Sequence, residues 1–327
     1  MLNNDDLKTV YNKIKEADNI LLTTHERPDG DAYASVCAMI EIIEALGKNA
    51  TAYIKDGLGT EFEFLPHIEK IIVSKAELSL EDYDLVVILD SGSLARTNLE
   101  AEIKSLKKNI FIIDIDHHPY VDIKSQIEIR NTEAVSTTEI IYDFIKANKI
   151  KITKNIANCI LTGLLHDTDN FFHQTVTEKP INIASEMLIF GAQFPKITTL
   201  KWRNKSLDSM RLWGMALTNL RINKKYNIAY SFLTLDDVAE FDINDDIFNS
   251  ITNYISNLEG VNVIMFLREE IDKATGQIKI KGSLRSTNPQ IDVSELAQKL
   301  GGGGHPMASG FSLEGKLEKN ESGWTVK

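Results

Sequence analysis

Cysteine is scarce in this 327-residue chain. Cys37 and Cys159 are the only two, and they form no C-x-x-C pair. Each falls within an apolar helical pattern, which argues against a disulfide framework or thiolate zinc site and for two buried thiols. Proline is also rare at seven residues, and there is no Pro-rich linker, long low-complexity tract or internal repeat. No apolar run approaches the roughly 18 to 20 residues needed to cross a bilayer. The opening "MLNNDDLKTVYNKIKEADN" lacks the basic, apolar and small-residue order of a signal peptide. A soluble, cytoplasmic protein with no membrane partner is expected. Positive charge is in deficit as well: 36 Lys+Arg stand against 47 Asp+Glu, a formal net charge of -11. Such a surface repels long polyanions, so tight non-specific binding to long duplex DNA is disfavoured. A small anionic substrate drawn to bound divalent cations remains compatible with that sign, because the ions dominate the local field.

What is present reads as an α/β protein. With 43% hydrophobic and 25% charged residues, the chain has the make-up and length of two compact domains. In the first half, β-branched runs ("NILLTT", "NATAYI", "YDLVVILD", "KNIFIIDID") alternate with segments of helical apolar period ("AYASVCAMIEIIEALG", "STTEIIYDFIKAN", "KNIANCILTGLLHD"). That order predicts a larger N-terminal domain with a mainly parallel sheet flanked by helices. The pattern breaks at "FPKITTLKWRNKS", so the expected boundaries are a domain over 1–193, a linker over 194–206 and a second domain over 207–327. A hinge is expected near 197–204. In the second part, strands "YNIAYSFLTL", "VNVIMFLREE" and "QIKIKGSLRS" and helices "DDIFNSITNYISNLE" and "VSELAQKL" predict a smaller α/β domain.

The chemistry-bearing residues gather where strands end. "NILLTTHERPDGDA" places His25, Asp29 and Asp31 after one strand, "DLVVILD" ends at Asp90, and "IFIIDIDHH" ends at Asp116, His117 and His118. Asp167 in "LLHDTDNF" closes an apolar helical pattern. In an open parallel sheet the carboxyl ends of strands share one edge, so these groups are expected to converge. A random His-x3-Asp-x-Asp match is expected only about 0.03 times in such a chain by independent-site counting. Carboxylates crowded in a semi-buried cleft cannot all stay ionised unless cations neutralise them. Carboxylate and imidazole donors without thiolate favour Mn²⁺, Mg²⁺ or Fe²⁺ over structural zinc. More modest readings stand beside this one. "PDG" also reads as a turn with Asp31 as helix N-cap, His166 is an alternative ligand to Asp167, and "GGGGH" also reads as a helix C-cap loop.

Taken together, "HERPDGDA", "LDSGSLAR", "DHH", "HDTDNF", "GSLRS" and "GGGGHPMASGF" resemble the DHH phosphoesterase family with its DHH-associated C-terminal domain, over nearly the whole chain. The resemblance implies one metal held by His25, Asp29 and Asp90, and a second by Asp31, Asp90, His117 and Asp167, with manganese the favoured ion. Two such metals lower the pKa of a bridging water and grip a phosphate oxygen. His118 would contact the phosphoryl or leaving oxygen, and Asp116 would orient imidazole rather than ligate. Arg96 could neutralise substrate charge. In the second domain, Arg285 with Ser286 suits bidentate phosphate binding, and Gly302, Gly303 and Gly304 beside His305 let backbone N–H groups approach an anion. The resemblance places the active site in an interdomain cleft, with short RNA or small nucleotides as substrate: an oligoribonuclease or pAp phosphatase. Cyclic di-AMP hydrolysis, a RecJ-like single-strand exonuclease and a non-catalytic nucleotide sensor are the alternatives. A homodimer is expected by analogy only. Two departures from the family, Ala34 and the pair Asp169–Asn170 where glycine is usual, bear on the shape of the substrate pocket.

Overall fold

The computed structural model describes residues 3–57, 59, 62–106, 110–119, 125–173, 176–199, 206–241, 246–272, 275–320 and 323–327. The chain divides into two compact units, Met1–Asn204 and Lys205–Lys327. The first contains, in chain order, α1 (Asn4–Glu16), β1 (Asn19–Thr23), α2 (Gly30–Ala45), β2 (Asn49–Tyr53), β3 (Ile71–Ile72), β4 (Leu85–Leu89), α3 (Glu100–Ser105), β5 (Phe111–Asp116), β6 (Ile127–Arg130), α4 (Thr137–Ala147), α5 (Lys154–Asp167), α6 (Glu178–Ile189) and α7 (Phe194–Thr198). Its six strands lie in the order β3-β2-β1-β4-β5-β6, and every neighbouring pair is parallel.

The apolar runs explain this sheet. A parallel sheet is buried on both faces, so its central strands carry unbroken apolar sequence rather than alternation. All five residues of β4, "LVVIL", are buried accordingly. Ile20 and Leu22 of β1 point into the larger core, filled from α1, α2, α4, α5 and α6. Leu21, between them, points to the other face, where Leu94, Leu99 and Ile110 form a smaller core with Ile103 of α3. The long helices thus cover one face, while α3 and short turns cover the other. Strand order reverses between β1 and β4, and such a switch point opens a crevice at the carboxyl ends of strands.

Within the stretch expected as linker, Phe194–Thr198 is helical, with Pro195 in its first turn where no backbone N–H is needed. Ile197 is buried in the first unit's core, and that burial draws the segment into the unit. Residues 200–205, with most of the expected hinge, lie outside the described residues.

The second unit contains α8 (Leu207–Thr218), β7 (Arg221–Asn223), β8 (Ile228–Leu233), α9 (Leu235–Val238), α10 (Asp246–Ile255), β9 (Val263–Ile271), β10 (Ile278–Ser286), α11 (Val293–Lys299), β11 (Gly303–His305), β12 (Ala308–Glu314), β13 (Leu317–Asn320) and β14 (Gly323–Val326). Its main sheet runs β11-β12-β10-β9-β8-β7. Only β8 and β9 pair in parallel; the other pairs are antiparallel. The core on one face draws Leu212 and Ala216 from α8 and Phe248, Ile251 and Ile255 from α10. The other face packs Leu284 and Phe311 against Val293 and Ala297 of α11. Among the described residues no helix is long and apolar enough to cross a membrane. Cys37 and Cys159 are free and buried.

Candidate metal centre

Asp29, not Asp31, is the N-cap of α2. The helix begins at Gly30, and the Asp29 Oδ1 accepts hydrogen bonds from the backbone N–H groups of Asp31 (2.9 Å) and Ala32 (3.1 Å). That corrects the sequence reading of Asp31 as cap: Asp31 already lies inside the first turn, which frees its carboxylate for another role. Asp31 is fully buried and reaches the start of α4, where its two oxygens accept from the backbone N–H groups of Thr137 (2.6 Å) and Thr138 (3.1 Å). A helix N-terminus presents unpaired N–H groups and the positive end of the helix dipole, so a carboxylate is well placed there. Glycine at 163 makes this approach possible. A Cβ at Gly163 would lie 2.2 Å from Asp31 Oδ1 and 2.3 Å from Thr138 Oγ1.

Asp90 follows β4 in the left-handed region (φ 52°), a conformation that costs an L-residue energy and that clusters at functional sites. Its Oδ1 accepts from the Thr137 hydroxyl at 2.9 Å. The same oxygen lies 3.5 Å from His117 Nε2 and 3.4 Å from His118 Nδ1, while Oδ2 lies 3.9 Å from His25 Nε2. Asp90, at the end of β4, therefore lies within 4 Å of one histidine that follows β1 and two that follow β5. Four groups bring ligand atoms within 4.8 Å of one another: His25, Asp29 and Asp90; Asp31, His117 and Asp167; Asp90, His117 and His118; and Asp29, His166 and Asp167. All six residues expected as metal ligands thus converge, and His166 joins them beside Asp167. The turn after Asp167 runs left-handed through Asp169, Asn170 and Phe171.

The electrostatics of the cluster fit a cation. Burial first, and then the neighbouring carboxylates, push Asp31 well above the ordinary carboxylate range. Asp90 is raised as well, chiefly by burial, although its hydrogen bond with His118 opposes the shift. Burial opposes charge on His117, yet Asp167, Asp90 and Asp31 outweigh it and raise its pKa. Asp167, though buried, is held far below its usual range by His117 and His166. The Nε2 of His117 is buried and lies 3.2 Å from Asp167 Oδ2, without a well-formed hydrogen bond. A buried imidazole nitrogen among carboxylates with no hydrogen bond of its own is a donor that fits a cation.

Asp116 is oriented away from ligation. Its Oδ1 accepts from His118 N (2.8 Å) and pairs with His118 Nδ1 (2.9 Å), and its Oδ2 accepts from Gly92 N (2.6 Å). These contacts outweigh its burial and hold it far below the ordinary range. In return His118 is pushed up to about 9, against its own burial, by Asp116 and Asp90. Arg96 donates to the Ser91 carbonyl at 3.0 Å, next to Asp90.

In the second unit Arg285 lies near the end of β10, half-buried. Its Nε donates to Asn253 Oδ1 (3.1 Å) and its Nη1 to the Leu284 carbonyl (3.0 Å). Burial lowers its pKa, and among the described residues no carboxylate pairs with it. Ser286 is turned inward, its hydroxyl donating to the Asn288 carbonyl at 2.7 Å. The glycine run is not simply a C-cap loop. Gly301 takes the left-handed turn directly after α11 (φ 76°), and Gly303–His305 form the exposed edge strand β11. Gly302 and Gly304 are required by the hairpin, since a Cβ at 302 would lie 2.0 Å from the Gly310 carbonyl and one at 304 would lie 2.7 Å from that of Ala308.

Sequence reasoning missed Thr137 and Thr138, Gly163, and the pair Asp114 and Arg130. A signal existed for the threonines: "STTE" has the spacing of a capping box, and Ser136 does cap α4. A helix start there offers N–H groups to any nearby anion.

Known proteins resemble this one along its length. Residues 19–164 match the DHH family N-terminal domain and residues 225–322 the DHHA1 domain. The chain is 29% identical over 96% of its length to a probable bifunctional oligoribonuclease and PAP phosphatase NrnA of Streptococcus mutans, covering 95% of that protein. It is 30% identical over 90% of its length to the bifunctional oligoribonuclease and PAP phosphatase NrnA of Thermus thermophilus, of which 84% is covered. A crystal structure of an exopolyphosphatase-related protein from Bacteroides fragilis superposes with a TM-score of 0.84 at 26% identity, covering 95% of this chain and 92% of that one. With both domain matches in order and a relative at this identity spanning most of both chains, the protein belongs to the DHH family, with a DHHA1 domain following the DHH domain.

Proposed function

We propose that this protein is a metal-dependent phosphoesterase that hydrolyses very short oligoribonucleotides and dinucleotides such as pApA to 5′-mononucleotides, and that it also removes the 3′-phosphate of 3′-phosphoadenosine 5′-phosphate. The observation that carries the reading is Asp90 set among His25, His117 and His118, with Asp29, Asp31 and Asp167 around them. The substrate class follows relatives named for oligoribonuclease and PAP phosphatase activity. His25, Asp29 and Asp90 would hold one divalent ion, and Asp31, Asp90, His117 and Asp167 a second. Donors of this kind suit Mn²⁺ or Mg²⁺. When bound, the ions supply the positive charge that activates water and steadies the phosphoryl oxygens.

The chain's own groups do the rest. Thr137 and Thr138 fix the Asp31 carboxylate, and the Thr137 hydroxyl fixes Asp90, so the donor set is in place before substrate arrives. His118, with Nδ1 turned to Asp116, keeps Nε2 for a phosphoryl or leaving oxygen. Arg96 neutralises substrate charge. Arg285 and the backbone of Gly302, Gly303 and Gly304 beside His305 would grip a terminal phosphate or nucleotide, which favours short chains and exonucleolytic attack.

A product profile tests this. Purified protein with Mn²⁺ is offered 5′-labelled oligoribonucleotides of two to about twenty nucleotides, 3′-phosphoadenosine 5′-phosphate and cyclic di-AMP, each with a chelator control. Rapid, chelator-sensitive loss of only the shortest RNAs, with phosphate release from 3′-phosphoadenosine 5′-phosphate, is expected. Equal attack on all lengths would point to a RecJ-like exonuclease, preference for the cyclic compound to a cyclic dinucleotide phosphodiesterase, and no release from any to a sensor.

A further inference from the structure

Arg130, the last residue of β6, has a side chain only 9% exposed, and its guanidinium meets four groups. Its Nη1 donates to the His118 carbonyl at 2.7 Å and lies 3.4 Å from Asp116 Oδ2. Its Nη2 donates to Asp114 and its Nε to Glu128. Asp114 is wholly buried on β5, two residues before Asp116, and residues two apart on a strand share a face. None of the four ligand groups includes Asp114, and among the described residues its Oδ1 has no hydrogen-bond partner. A buried carboxylate is costly unless a cation compensates it, so its place beside Arg130 calls for a reason.

We infer that Arg130 is a positioning residue for His118: it clamps the His118 carbonyl and the Asp116 carboxylate that holds His118 Nδ1, and Asp114 is the buried anchor that orients the clamp. Two consequences follow from the chemistry. The planar fork of arginine spans a carbonyl and three carboxylates at once, whereas a lysine ammonium is a point charge on a flexible stem. The clamp also joins β5 to β6 at the residue where the two strands end, so it sets the path of the chain through His117 and His118.

The proposal rests on the phosphoesterase reading for its kinetic arm only. The full-length protein is prepared as wild type, Arg130→Met, Arg130→Lys and the double variant Asp114→Asn with Arg130→Met. Arg130→Met alone leaves Asp114 unpaired and is expected to melt earlier. The double variant, with no buried carboxylate left at 114, is expected to regain most of the wild-type melting temperature. Its kcat is nevertheless expected to fall about 10- to 100-fold, the usual range for losing a partner that orients a site residue, with KM changed far less. Arg130→Lys is expected to fold and to show a smaller loss in the same direction. As a readout independent of turnover, the hydrogen-bonded His118 Nδ1 proton, followed by NMR at one fixed pH, is expected to shift or exchange faster in the double variant. A double variant with wild-type melting and wild-type kcat, or an unchanged His118 proton, overturns the proposal. If wild type hydrolyses nothing, the phosphoesterase reading falls, and the His118 proton alone decides the role of Arg130.

Discussion

The two units organise charge in opposite ways. In the first, every strand pair is parallel, so the carboxyl ends of β1, β4 and β5 lie along one edge, and His25, Asp90, Asp116, His117 and His118 meet there despite a separation of some 90 residues. In the second, mostly antiparallel pairing puts the end of β10 beside the starts of β9 and β12. Arg285 consequently stands among backbone and amide partners, and among the described residues no carboxylate pairs with it. A parallel edge concentrates titratable groups until they need cations; an antiparallel edge isolates one. The metal chemistry proposed for the first unit and the anion grip proposed for the second would follow from that topological difference.

The sharpest attempt to break the division is Asp90→Ala. It is expected to abolish hydrolysis, on the order of 10³-fold or more, and to lower the metal stoichiometry measured by calorimetry. Unchanged hydrolysis would mean that the strand-end cluster is not the reaction centre. Arg285→Ala should behave differently: a KM increase of about 10- to 100-fold with kcat changed only a few-fold, because a group that binds ground and transition state alike affects KM. A fall confined to kcat would place Arg285 in the chemistry and erase the contrast.

Metal addition separates the units without mutation. Mn²⁺ at about a hundred times its Kd should stabilise the fold by about 2.7 kcal/mol. Hydrogen exchange is expected to slow around residues 25–34, 90–92 and 116–118, with no change in the second unit; protection of β10 and β11 by metal alone would contradict the division. Two glycines give the finest comparison. Gly163→Ala forces a Cβ onto Asp31 and Thr138 and should cost about 1–3 kcal/mol of stability, together with weaker metal binding. Gly303→Ala meets nothing within 4 Å and should lie within about 0.5 kcal/mol of wild type. Denaturant titration of both variants reads the difference.

Much of the site was legible in the residue order because polar groups stand out against fully buried strands. A histidine or aspartate directly after "NILLTT" or "LVVIL" has no apolar reason to be there, and parallel topology then dictates which of them meet. The partner residues were harder to see. Nothing local distinguishes Thr137 from Thr138, or either from an ordinary helix start, until Asp31 arrives from more than a hundred positions away. Arg130 reads as the exposed end of an edge strand until Asp114 and Asp116 are found on the face beside it.

The sequence by itself determined the strand and helix periods and the parallel class of the first sheet, since these depend on local apolar runs and periods, and it set His25, Asp29, Asp31, Asp90, His117 and Asp167 at the positions where the family resemblance expects ligands. Tertiary structure alone decided that Asp29 rather than Asp31 caps α2, that Gly163 makes room for the Asp31 carboxylate, and that Arg130 joins Asp114 to the His118 backbone. Those outcomes depend on distances between elements far apart in the chain, which packing sets and residue order does not encode locally.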